Sequence, residues 1–131
     1  MFLSPDIKTI PSPNGIDVTA SKIKKLLEDH GITIYCHIDQ QSEAVKSGLS
    51  LNPLQLLIFG NPKGGIPLMN ANPLSGIDLP LKLIIWEDEE KKTWVSYNKF
   101  EYLQKRFDLP DNLILNISKV ESIIFEAVSK P

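Results

Sequence analysis

Seven consecutive residues, Phe59-Gly60-Asn61-Pro62-Lys63-Gly64-Gly65, are the types best suited to holding a ligand. Glycine lets a backbone approach a bound group closely, and N–H groups at the start of a following helix can face an anion. Lys63 would add positive charge. The stretch is not a phosphate loop: no Lys-Ser/Thr pair follows Gly65, so the parts that grip phosphate and magnesium are missing, and the spacing is not GxGxxG either. A structural turn, or a contact between subunits, accounts for the same residues.

The other chemically capable residues are few. Cys36 and His37 adjoin, but strand neighbours point to opposite faces, so the two are not expected to share a metal. Cys36 reads as a core residue rather than a nucleophile. His30 falls at the end of a helix, where partial positive charge is favourable. Asp39 is the one carboxylate at a strand end; it reads as a helix N-cap, with a catalytic role as the weak alternative. Glu87 to Glu90 make an acidic run at a turn. No catalytic triad, zinc spacing or paired-carboxylate arrangement can be argued, and neither a metal nor a cofactor is expected.

These residues must be positioned by one domain. The chain has 131 residues, 42% hydrophobic and 23% charged, enough for a single core. A net charge of −2 offers no electrostatic case for nucleic acid. The lysines at 22–25 and at 91–92 sit beside acids, as solvated faces do. One cysteine permits no internal disulfide and favours a reducing compartment. No signal peptide or run of roughly 20 apolar residues is visible, so a cytoplasmic location away from membranes is expected.

Patterning places the elements. Residues 7–10 suit an edge strand, confined there by Pro5, Pro11 and Pro13. Ile16, Ala20, Ile23 and Leu27 stripe a helix over 16–30, and Gly31 stands where a left-handed residue ends it. Residues 32–38 alternate, with Ile32, Ile34, Cys36 and Ile38 predicted on one face. A short helix follows at about 40–47, ended by Gly48. Residues 54–59 are apolar on nearly both faces, which predicts an interior strand delivering the Gly60–Gly65 loop. Pro67 is expected in the first turn of the next helix, which Pro73 interrupts. Residues 80–88 and 93–97 form a hairpin, with Trp86 and Trp94 approaching across it. Asn98 and Glu101 resemble a capping box for a helix at about 99–106, and a last helix spans about 111–129. Hairpins mixed with helices predict an α+β two-layer sandwich, a mostly antiparallel sheet with helices on one face.

The chain also resembles a known family. Gly31-Ile32-Thr33 to Ile38-Asp39, Ala44, Gly48-Leu49-Ser50-Leu51-Asn52-Pro53, Leu57 to Pro62, Pro67-Leu68-Met69, Asp78 to Lys82, Trp86-Glu87-Asp88 and Trp94 to Asn98 follow in the order of the DUF302 family. The resemblance covers about residues 5–129. It implies a two-layer sandwich on an antiparallel sheet, a homodimer and an uncharacterised function. Family members often carry Asp-His after the second strand; here Gln40 follows Asp39, which removes the basis for a metal or general-base role there.

Two functions are carried forward. The first is a non-catalytic, dimeric cytoplasmic domain that binds a small molecule, an anion or a partner at Phe59–Gly65. The second is an enzyme of unknown reaction that uses Asp39 near that loop, with Lys63 or backbone N–H groups receiving an anion. The second requires Asp39 and the loop to converge. A third reading makes the loop a subunit interface.

Overall fold

A computed structural model describes residues 4–131. The strands β1 (Ile7–Ser12), β2 (Thr33–Asp39), β3 (Leu54–Gly60), β4 (Leu81–Glu87) and β5 (Thr93–Asn98) form one antiparallel sheet, ordered β1-β5-β4-β3-β2. Helices α1 (Ile16–Asp29), α2 (Gln40–Lys46), α3 (Pro62–Ala71), α4 (Phe100–Phe107), α5 (Asp111–Ser118) and α6 (Val120–Val128) connect or follow the strands, with a 3-10 turn at Pro73–Ile77. The α+β sandwich read from the sequence is the fold observed.

Period-two alternation divides the sheet into two faces. Leu57 and Phe59 of β3, Leu81, Leu83 and Ile85 of β4, and Val95 and Tyr97 of β5 are buried, and they share one core with residues of α1, α3, α4, α5 and α6. Each such aliphatic or aromatic side chain contributes about 1.5–3 kcal/mol when removed from water. The opposite face carries Leu56, Ile58, Ile84, Trp86 and Trp94, all half-buried. There the Trp86 and Trp94 rings stack with centroids 6.3 Å apart, as the hairpin register Trp86↔Trp94 requires.

Glycine ends two helices. Gly31 and Gly48 both have φ of +75°. Beyond each, the two C-terminal N–H groups turn back onto the helix: Gly31 to Glu28 O and Ile32 to Leu27 O, then Gly48 to Val45 O and Leu49 to Ala44 O. Both are complete Schellman ends, available cheaply only to a residue without a Cβ.

Several expectations need correction. The pairing of β2 with β3 shifts register between Ile34 and Cys36. Ile34 lies opposite Phe59 and so faces the core, whereas Cys36 and Ile38 lie opposite Ile58 and Leu56, on the far face. A one-residue bulge inverts every later side chain, which uninterrupted alternation does not reveal. Ile32 and Ile34 accordingly pack on the core, and Cys36 is half-buried away from it.

The helix expected to start at Pro67 starts at Pro62. Asn61 caps it, its Oδ1 accepting from Lys63 N at 3.0 Å, and Pro62 takes the first position, where its missing N–H costs nothing. Asn98 does not cap α4: its backbone is committed to β5, opposite Ile7, so the cap position falls to Lys99. The last helix is two, divided at Lys119, which allows α5 to lie against α3 while α6 runs along α1.

Candidate functional site

The buried strand β3 ends at Gly60, opposite Thr33 of β2, while Phe59 lies opposite Leu81 of β4. At this end of the sandwich the sheet, α3 and the α5–α6 junction enclose a cleft of about 650 Å³. That volume falls in the range of small-molecule sites, roughly 300–1,000 Å³. All seven residues singled out from the sequence, Phe59, Gly60, Asn61, Pro62, Lys63, Gly64 and Gly65, line it. They form the last residues of β3 and the first turn of α3 rather than a free loop.

The remaining walls are mostly apolar: Ile32 just before β2 and Tyr35 within it, Ile66 and Met69 from α3, Leu79 and Pro80 before β4, and Ile117, Val120 and Ile123 from α5 and α6. Polar groups sit among them: His30, Lys63, Asn116 and Lys119. His30 Nδ1 donates to the Leu26 carbonyl at 2.8 Å, because a carbonyl can only accept. That fixes the ring against the end of α1, as its place at a helix terminus implied. Its position at the cleft was not legible from the sequence.

Glycine has a specific task here. A Cβ on Gly64 would sit 2.9 Å from the backbone carbonyl oxygen of Asn116, so α3 and α5 cross too closely there for any side chain. At Gly65 the nearest atoms to an added Cβ, on Leu79 and Met69, lie at 3.9 and 4.0 Å, an ordinary contact. Gly60 is intermediate, 3.4 Å from Pro80 Cβ.

The helix start is not a vacant anion receptor. Lys63 N donates to Asn61 Oδ1, and Gly64 N and Gly65 N both donate to Asn61 O at 2.9 and 3.0 Å. Pro62 has no N–H. The leading amides of α3 are thus consumed internally, and an anion in this cleft would be met by side chains instead.

Asp39 lies elsewhere. It pairs with Gln55 at the far end of β2, whereas Thr33 at the near end lies opposite Gly60, so ~20 Å of strand separates Asp39 from the level of Gly60 at roughly 3.3 Å per residue. Its carboxylate caps α2, Oδ1 accepting from Ser42 N at 3.0 Å. The convergence of Asp39 with Lys63 on which the enzymatic alternative depended does not occur.

That distant end of the sheet holds a polar relay with no sequence signature. The buried Gln55 donates from Nε2 to Asp17 Oδ1 at 2.9 Å. Its Oε1 therefore accepts from His37 Nε2 at 2.7 Å, and His37 Nδ1 accepts from Lys24 Nζ at 3.2 Å. The chain of bonds ties α1 to β2 and β3. The acidic turn is also structural: Asp88 Oδ2 accepts from Trp94 Nε1 and Oδ1 from the Glu90 and Lys92 amides, all at 2.9 Å. Those bonds, the Trp94 one foremost, hold the Asp88 carboxyl below the usual carboxylate range. Among the described residues no group of three or more His, Cys, Asp or Glu is placed to share a metal ion.

Fold and cleft together define a small antiparallel α+β domain with a ligand-sized, mostly apolar cavity at the end of the interior strand β3. The chain belongs to DUF302, described as a domain of unknown function, whose family model matches residues 8–129. Its fold is also that of a crystallised uncharacterised conserved DUF302 protein from Bacillus stearothermophilus. The two superpose with a TM-score of 0.80 at 19% identity, over 96% of this chain and 98% of that one. Among curated proteins it is similar to fluoride-specific ion channel FluC 1 of Brucella suis biovar 1 (strain 1330), 32% identical over 101 residues. That match takes in 77% of this chain and 40% of the channel protein. Fluoride-specific ion channel FluC 2 of Brucella melitensis biotype 1 is equally similar, with 37% of its length covered. The chain thus spans about two fifths of these relatives. No helix among the described residues is long and apolar enough to cross a membrane.

Proposed function

We propose that this chain is a cytoplasmic, non-catalytic ligand-binding domain whose site is the cleft at Phe59–Gly65, and that it acts as a homodimer. The observation that carries the reading is the cavity itself: about 650 Å³, walled by residues from β2, β3, α3 and the α5–α6 junction, with convergent polar groups at its edge. Among the described residues no Asp or Glu lines it, and Asp39 lies ~20 Å along β2 from the level of Gly60, which favours binding over acid–base catalysis there. Fluoride transport, the activity in the names of the Brucella relatives, is not part of this reading. No helix among the described residues is long and apolar enough to cross a membrane, and the cleft walls are mostly apolar.

A fragment screen by protein-observed NMR tests the site. Binders are expected to move the amide signals of Gly60, Gly64, Gly65 and Ile66. Hits confined to other surfaces, or no hits from a library of ordinary size, would remove the cleft as the functional site.

A further inference from the structure

The charge pattern of the cleft narrows what it can hold. The chain carries 16 acidic and 14 basic residues, yet among the described residues the titratable groups lining the cleft are His30, Tyr35, Lys63 and Lys119, with no carboxylate. The other large groove, about 790 Å³, mixes Lys8 and Arg106 with Asp6, Glu101 and Glu121, as a solvated face does. Lys63 and Lys119 are exposed, and neither forms an ion pair among the described residues.

The two lysines also adjoin one packing contact. Lys63 directly precedes Gly64, which packs on the Asn116 carbonyl, and Lys119 lies one helical turn beyond Asn116. Both therefore stand close to the same crossing of α3 and α5, and both line the cleft. The positive end of the α3 dipole lies at the same point, its amides already occupied by Asn61.

Resting on the cleft being the ligand site, we infer that its ligand is an amphipathic anion: an apolar body seated in the recess, with one carboxylate or phosphate head between Lys63 and Lys119. Burying the body supplies most of the affinity, and the lysines supply the selection for charge.

The test titrates the full chain with decanoate, decyl phosphate and decanol, each below its micellar concentration, following amide shifts and calorimetric affinity. One or both anions are expected to move Gly64, Gly65 and Ile66 and to bind about tenfold more tightly than decanol, as two partly exposed ion pairs would give. Which anion prevails separates a carboxylate head from a phosphate one. In the double variant Lys63→Gln/Lys119→Gln the preference over decanol is expected to disappear while decanol binding persists, which also shows that the variant is folded. Equal binding of all three at the cleft amides overturns the anionic class but leaves the cleft as the site. Binding mapped to Cys36, Ile58 and Ile84 on the far sheet face, or no binding of any probe, overturns this inference; only fragments of other chemistry at the cleft amides would then keep the site.

Discussion

Individual residues in the Phe59–Gly65 segment divide between building the cleft and facing it. Gly64 builds it: the 2.9 Å separation between its would-be Cβ and the Asn116 carbonyl oxygen leaves no room for a methyl group against backbone. Gly65, one residue on, has room. Gly64→Ala is therefore expected to destabilise the protein by about 1–3 kcal/mol, as overpacking does. Gly65→Ala should be neutral, or stabilising by up to about 1 kcal/mol through helix propensity. Urea unfolding of both variants checks this; an equal loss in the two would show that the close crossing has no special cost. Asn61 acts at the same scale, closing the amides that a sequence reading leaves open to an anion. Glycine in a strand-to-helix turn is legible as a backbone requirement. Whether that requirement comes from a ligand or from a second helix is not, because Asn116 lies far away in the chain.

Elements decide which side chains meet. The bulge in β2 sends His37 toward Gln55 and Lys24 and turns Cys36 away from the core. A second polar link between sheet and helices is Tyr97 of β5, whose hydroxyl donates to Glu121 Oε2 of α6 at 2.6 Å. Burial, then the Glu121 carboxylate, pushes the Tyr97 pKa well above its ordinary value. Folded Tyr97 thus holds its proton where the unfolded chain, with a pKa of about 10, releases it. Stability from this group is complete below about pH 10 and declines above it, by up to about 1.4 kcal/mol per pH unit. Tyr97→Phe should lose some stability at neutral pH, about 1 kcal/mol, and show a shallower alkaline decline. Melting curves from pH 8 to 11 for both proteins provide the measurement; parallel decline would mean that Tyr97 ionises equally in both states. The break at Lys119 is likewise an element-scale outcome. Leu113, Ile117, Val120, Ile124 and Val128 recur at the spacing of one helix, and all but the half-buried Leu113 are buried, but two helices pack them against different neighbours.

At the scale of the whole molecule, the sandwich leaves one sheet face away from its core, with Leu56, Ile58, Ile84, Trp86 and Trp94 half-buried on it. Such a contiguous apolar face is the natural seat of a second copy in the proposed homodimer. Sedimentation at tens of micromolar is expected to give twice the 14.7 kDa chain mass. Ile84→Lys should return it to monomer with its melting transition intact, whereas a monomeric parent chain would refute the pairing. Sequence alone determined the α+β class, the edge position of β1, both glycine helix ends and the Asp39 cap, because each follows from periodicity or from hydrogen bonds spanning a few residues. It also singled out the seven residues that line the cleft, although a structural turn or a subunit contact read equally well from the same glycines and prolines. Tertiary structure alone decided the rest: the β2 bulge, the division at Lys119, the placement of Asp39 ~20 Å along β2 from the level of Gly60 and the gathering of His30, Lys63 and Lys119 around one cleft. These depend on which distant segments pack together, and side chains tens of residues apart in the chain leave no local pattern of their meeting.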